Sequence, residues 1–155
     1  MKRIIYISAI SAVILLNITC TKNDNLTPLE RRAVGQYSFE KVVIHKNGFK
    51  TQNITQQYHN MVLQLNDKKE AALIDKNNNT TYFGKYDIVV QNGTTITDDD
   101  GNTTTNNNNT IIIDIKSGSR GGDYHWVGEN ASFGNKLRFN VQKADGRYAF
   151  KLDKI

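Results

Sequence analysis

The chain of 155 residues carries a single cysteine, a single proline and a single tryptophan, and each scarcity excludes something. Cys20 has no partner for an internal disulfide, so the fold must rest on packing and hydrogen bonds. With one proline against eleven glycines and an abundance of Asn and Thr, the composition points to many turns between strands and away from helices. Charge of one sign is also scarce. Lys and Arg number 20 against 15 acids, a formal net charge of +5 that falls to +3 without Lys2 and Arg3. So small and scattered an excess does not argue for nucleic acid.

The patterns that catalysis needs are missing too. There is no Gly-x-Ser-x-Gly elbow, and no Ser-His-Asp arrangement can be drawn from the spacing. His45, His59 and His125 have no second ligand at metal spacing. The glycines of the SGSRGGD stretch, Gly118, Gly121 and Gly122, lack the strand–loop–helix context of a phosphate loop and read as a hairpin tip. The reading is a protein that binds rather than catalyses, with no cofactor.

The one long hydrophobic run is N-terminal. Lys2 and Arg3 precede an uncharged stretch from Ile4 to Leu16, which has the length of a signal-peptide core and falls short of the ~20 apolar residues of a stable membrane span. Leu16-Asn17-Ile18-Thr19-Cys20 resembles a bacterial lipoprotein lipobox, and Thr21-Lys22-Asn23-Asp24 resembles the lysine-plus-acid export signal of Bacteroidota lipoproteins. That resemblance implies cleavage before Cys20, acylation of Cys20, and a membrane contact through that anchor. The protein would then be an outer-membrane lipoprotein on the cell surface or the periplasmic face. Residues 1–19 are thus the expected signal, 20–28 a tether, and 29–155 one domain of ordinary size.

Thr27-Pro28-Leu29-Glu30 offers the one helix start, with Thr27 as N-cap and Glu30 completing a capping arrangement before Gly35. From Gln36 onward the apolar period is two. Tyr37 and Phe39, then Val42 and Ile44, mark a first strand whose alternation slips near Lys41, as a bulge would produce. Asn47-Gly48 signals a hairpin, and Thr51–Gln57 reads as a polar second strand. Met61, Leu63 and Leu65 alternate, Asn66-Asp67-Lys68 turns into Glu70–Asp75, and Lys76–Asn79 turns again. The next strand places Tyr82, Gly84, Tyr86, Ile88 and Val90 on one face, before a turn at Asn92-Gly93. Ile111, Ile113 and Ile115, then Tyr124 and Trp126, follow. Leu137, Phe139 and Val141 pair with Tyr148, Phe150 and Leu152 across the turn Lys143–Gly146, the clearest hairpin of all. Eight to ten short strands without a crossover helix predict an all-β fold, an antiparallel up-and-down barrel of about eight strands with a short N-terminal helical turn.

Gly35-Gln36-Tyr37 opening the first strand, the meander of hairpins and the final LRFNVQKADGRYAFKLDKI resemble the small lipocalin-like lipoproteins of Bacteroidota across about residues 29–155. The resemblance implies a lipocalin-like barrel in which Tyr37 takes the place of the tryptophan that plugs the closed end. Arg138 or Arg147 would be the covering cation. It also implies a small apolar or amphipathic ligand held inside the barrel, with a monomer as the expected state.

Inward-parity tyrosines support such a cavity, because burying a phenol hydroxyl without a partner costs ~1–3 kcal/mol. Tyr37, Tyr82, Tyr86, Tyr124, Trp126 and Phe139 are the candidate ligand-binding residues. Asp98, Asp100 and Asn102 form a weak calcium candidate whose spacing departs from that of an EF-hand. The alternative function is a protein-interaction module, an inhibitor or an accessory subunit of an outer-membrane complex. Its barrel would be filled, and its working loops would be 91–110 and 116–136.

Overall fold

A computed structural model of the chain describes residues 26–46, 50–91, 95–97, 103–105, 108–116 and 123–155. The signal segment 1–19, Cys20, the turns at Asn47-Gly48 and Asn92-Gly93, the calcium candidates Asp98, Asp100 and Asn102, and Gly118, Gly121 and Gly122 lie outside the described residues.

One helix, α1 (Pro28–Ala33), precedes the strands. Thr27 Oγ1 accepts from the Glu30 N–H while the Glu30 carboxylate accepts from the Thr27 N–H at 2.6 Å, a complete capping box with Pro28 at its first turn. Leu26 is already buried. The strands that follow are β1 (Gly35–His45), β2 (Thr51–Asn53), β3 (Met61–Leu65), β4 (Glu70–Asp75), β5 (Thr80–Gln91), β6 (Thr95–Thr97), β7 (Thr103–Thr105), β8 (Asn108–Lys116), β9 (Tyr124–Ser132), β10 (Lys136–Lys143) and β11 (Gly146–Lys154).

Every pairing is antiparallel. The order β11-β10-β9-β8-β5-β4-β3-β1 closes on itself through β11 and β1, giving a closed eight-stranded barrel. The first part of β1 pairs with β3, and its last three residues pair with the short β2. The β1–β11 register shifts between Phe39 and Lys41, so the slip in alternation is a bulge. It lets Phe39 and Val42 both face inward while Glu40 and Lys41 both face out. The ribbon β6–β7 stands apart from the barrel, within the connection from β5 to β8.

Two details differ from the sequence reading. Thr51–Gln57 is not one strand: after Asn53 the Thr55 hydroxyl and N–H both bond Asn53 Oδ1, and Thr55–Tyr58 forms a 3-10 turn. Such side-chain bonds to nearby backbone compete with the strand ladder. Val90 is 45% exposed instead of inward. β5 runs six residues past Lys85, where its pairing with β4 ends at Glu70, so Val90 lies beyond the closed part of the wall.

Candidate functional site

Strand direction sorts the barrel's two ends. β1 starts beside α1 and runs away from it, so its antiparallel neighbours alternate: β3, β5, β9 and β11 all begin at the end opposite α1. The α1 end is shut. Tyr37 is fully buried there and its hydroxyl donates to the Ala33 carbonyl at 2.8 Å. The Tyr86 hydroxyl donates to the Asn66 carbonyl at 2.8 Å, and Lys69 joins Glu30 on α1 to Asp87 on β5 at 2.7 and 3.1 Å. Burial pushes both phenols up to about 12. The buried Glu30 carboxyl, which desolvation alone would raise, is held low by Lys69 and by the cap bonds from Thr27.

The cation covering Tyr37 is neither Arg138 nor Arg147. Both of those lie exposed at outward positions of β10 and β11. Lys154 takes the role, with Nζ 5.7 Å from the ring centroid while it donates to the Val34 carbonyl at the C-cap of α1. It stands directly across from Tyr37 in the β1–β11 register, which a sequence read without strand pairing does not reveal.

The middle of the barrel is filled by rings. Phe39, Trp126, Phe139 and Phe150 are each at most 5% exposed. Phe139 stacks on Phe150 at 4.8 Å, Trp126 lies 5.3 Å from Phe150, and Phe39 meets Trp126 edge-on at 6.3 Å. Gly128 makes room for this cluster: a Cβ there would come within 2.6 Å of Phe139. The tyrosines therefore do not line a hollow at the centre, as their inward parity led one to expect. Those of the closed end, Tyr37 and Tyr86, satisfy their hydroxyls with backbone carbonyls instead of water or ligand.

At the opposite end the tyrosines behave differently. Tyr58 ends the turn before β3, Tyr82 sits near the start of β5, Tyr124 begins β9, and Tyr148 is third in β11. All four are half-buried and pack on the ring cluster. Tyr124 lies 5.5 Å from Trp126 and 6.2 Å from Tyr82, and Tyr58 lies 5.0 Å from Phe39 and 5.8 Å from Phe150. Burial raises the Tyr58 phenol, aided by Tyr124; burial raises Tyr124, aided by Tyr82 and Asp75. Each hydroxyl is thus within electrostatic reach of the next.

The Tyr148 hydroxyl donates to Asp145 at 2.7 Å, which with burial lifts it to about 12. Among the described residues the hydroxyls of Tyr58, Tyr82 and Tyr124 find no hydrogen-bond partner, and none of them is a buried unsatisfied atom. The nearby Asp75 is engaged: its carboxylate accepts from the Asn77 and Asn78 N–H groups and from Asn78 Nδ2. The result is a patch of packed rings edged by phenols. Such a surface takes an apolar body against the rings and a polar head at the edge.

Of the six residues singled out from the sequence, Tyr82, Tyr124, Trp126 and Phe139 come together here, while Tyr37 and Tyr86 close the other end. Tyr58 and Tyr148, aromatic residues of the sequence's wider candidate set but outside these six, complete the group at this end. Tyr58 lies in a polar segment with no alternation to assign it a face, and Tyr148 reads as one more member of a core hairpin.

The recesses in the outer wall are elsewhere. One of about 440 Å³ is lined by Lys68, Lys69, Lys85, Tyr86, Asp87, Ile112 and Asp114, and one of about 170 Å³ lies over Thr110 and Val127. In the larger, Lys69 is held by Glu30 and Asp87, and Asp114 is bonded to His125, so much of its charge is already paired. The ring patch sets three phenols without a hydrogen-bond partner among the described residues against apolar side chains and is the better candidate. Among the described residues no three His, Cys, Asp or Glu side chains gather as metal ligands.

The fold defines the class: an all-β, lipocalin-like barrel of eight antiparallel strands, with a helix at one end and a set of half-buried tyrosines at the other. Comparison of the chain with protein-family models, with curated proteins and with solved structures finds no match.

Proposed function

We propose that the chain is a non-catalytic binding protein that takes a small amphipathic molecule across the Tyr58–Tyr82–Tyr124–Tyr148 rim, and that Cys20 anchors it to the outer membrane through acyl chains. The observation that carries the binding half is the contrast between ends. Phenols at the shut end are satisfied by carbonyls, whereas three at the open end have no hydrogen-bond partner among the described residues and lie against packed rings. The anchor rests on the hydrophobic run before Cys20 and on the lipobox resemblance. Several acyl chains would hold firmly, at about 0.8 kcal/mol per buried methylene.

The sole tryptophan makes the test direct, since Trp126 lies beneath the rim and in contact with Tyr124. Palmitate, farnesol and haemin are titrated in turn into the soluble Cys20→Ser chain while Trp126 emission is followed. At least one should shift the emission and saturate near one equivalent, and Tyr124→Ala should weaken that binding about tenfold, as loss of an aromatic contact does. Silence with all three, or a shift that Tyr58→Ala and Tyr124→Ala leave untouched, would refute the reading. For the anchor, intact mass of the membrane fraction should give an acyl adduct on Cys20, and membrane retention of Cys20→Ser equal to wild type would contradict it.

A second reading, the protein-interaction module, draws on the filled barrel and on the β5–β8 hairpin. That hairpin outruns the rest of the wall with Val89 and Val90 exposed. It becomes the better account if the emission titrations are silent.

A further inference from the structure

Charges that are scattered in the sequence are sorted by the fold. On the outer face of β10, β11 and β1, Arg138 lies opposite Lys151 and Lys151 opposite Lys41, so three cations sit side by side on neighbouring strands. Farther toward the open end Arg147 stands between Gln142 and His45, with Lys143 and Lys46 beyond. The acids on this wall are committed within it: Glu40 to Lys136 and Lys151, Asp153 to Lys136, and Asp145 to the Tyr148 hydroxyl. Lys41, Arg138 and Arg147 are exposed and have no ion-pair partner among the described residues. The wall of β5, β8 and β9 is mixed instead, with Asp87, Asp114 and Glu129 among Lys85, Lys116 and His125.

Like charges directly opposite each other destabilise a sheet; Glu40 answers Lys151, while Lys41 and Arg138 on either side of it have no acid of their own among the described residues. We propose that this wall is a docking face for an anionic lipid surface. Neither of the two recesses described above lies on it, and a row of cations spread over the outer face of three strands suits a broad array of negative headgroups. Exposed Arg31 and Arg32 on α1 extend the charge to the end where the chain enters the barrel from Leu26. The proposal draws on the anchored reading of Cys20 for proximity alone, because attraction of basic residues to anionic headgroups needs no acyl chain.

The test therefore uses the unacylated Cys20→Ser chain. It is sedimented with phosphatidylcholine vesicles, and with vesicles in which about one-third of the lipid is phosphatidylglycerol. It should bind the anionic vesicles only, and release at about 0.5 M salt, where the screening length falls to a few Å. Neutralising Lys41, Arg138 and Arg147 to Gln should weaken binding roughly fivefold per charge, about a hundredfold together. The same net change on the other side, Lys68→Gln with Lys76→Gln and Lys85→Gln, should cost far less. Thermal unfolding of the first variant should be unchanged or raised, since it relieves the like-charge row, and this separates lost docking from lost folding. Equal binding to both vesicle types, equal losses in the two triple variants, or retention on immobilised polyglutamate without any vesicle preference would overturn the proposal. A missing acyl adduct on Cys20 would instead strike at the anchor and leave this result standing.

Discussion

Tyr37 and Tyr86 at one end and Tyr124 at the other show how one residue type can serve opposite ends of a barrel. At the shut end each phenol is buried with its hydroxyl on a carbonyl, so the native state holds it protonated up to about 12 while the unfolded chain ionises near 10. The sign follows. Above pH 10 the unfolded state loses protons that the native state keeps, so stability is intact below pH 10 and falls as pH rises toward 12, by on the order of 2–3 kcal/mol per tyrosine. Denaturant titrations across that window should give a steep alkaline loss in wild type and a shallower one in Tyr37→Phe. Equal slopes would mean that Tyr37 ionises freely and is not sealed under α1. At neutral pH Tyr37→Phe should cost about 1 kcal/mol for the lost bond to Ala33, as read from the same titrations. At the open end Tyr124 has no such carbonyl among the described residues, and that is what distinguishes a rim residue from a plug.

Among the elements, the β10–β11 hairpin was the most legible in the sequence. Leu137, Phe139, Val141, Phe150 and Leu152 are buried, and Tyr148 is half-buried, in the register that alternation predicts. Replacing Phe150 by Ala removes a ring that touches Phe39, Tyr58, Trp126, Phe139 and Tyr148. The expected loss is about 3–5 kcal/mol in chemical denaturation. Lys151→Ala, next along the strand and facing out, should cost far less, because the exposed pair it makes with Glu40 is screened by solvent. Similar small losses in the two variants would put the register in error.

The helix start at Thr27 and the bulge beside Lys41 were legible for the same reason: local side-chain chemistry decides them. Thr51–Gln57 was not, because a polar stretch without alternation gives no sign that Asn53 will turn the chain. Val90 kept strand parity but lay past the end of the barrel, and the length of a neighbouring strand is not written in one strand's pattern. Lys154 over Tyr37 depends on the closing β11–β1 pair, the longest-range contact in the fold.

For the molecule as a whole, closure decides the interior. Eight strands leave room for side chains to fill a barrel or to hold one small ligand, and here Trp126, Phe39, Phe139 and Phe150 take the centre. Binding is thereby moved from the middle of the barrel to its mouth. The most direct measurement is a map of side-chain chemical-shift changes as palmitate, farnesol or haemin is titrated into the isotopically labelled Cys20→Ser chain, whichever first moves the Trp126 emission. The account predicts that the changes concentrate on Tyr58, Tyr82, Tyr124 and Tyr148, reach Trp126, and leave Tyr37, Tyr86 and the outer recess at Lys68 and Lys85 unmoved. Changes centred on that outer recess, or on the residues of the shut end, would contradict it.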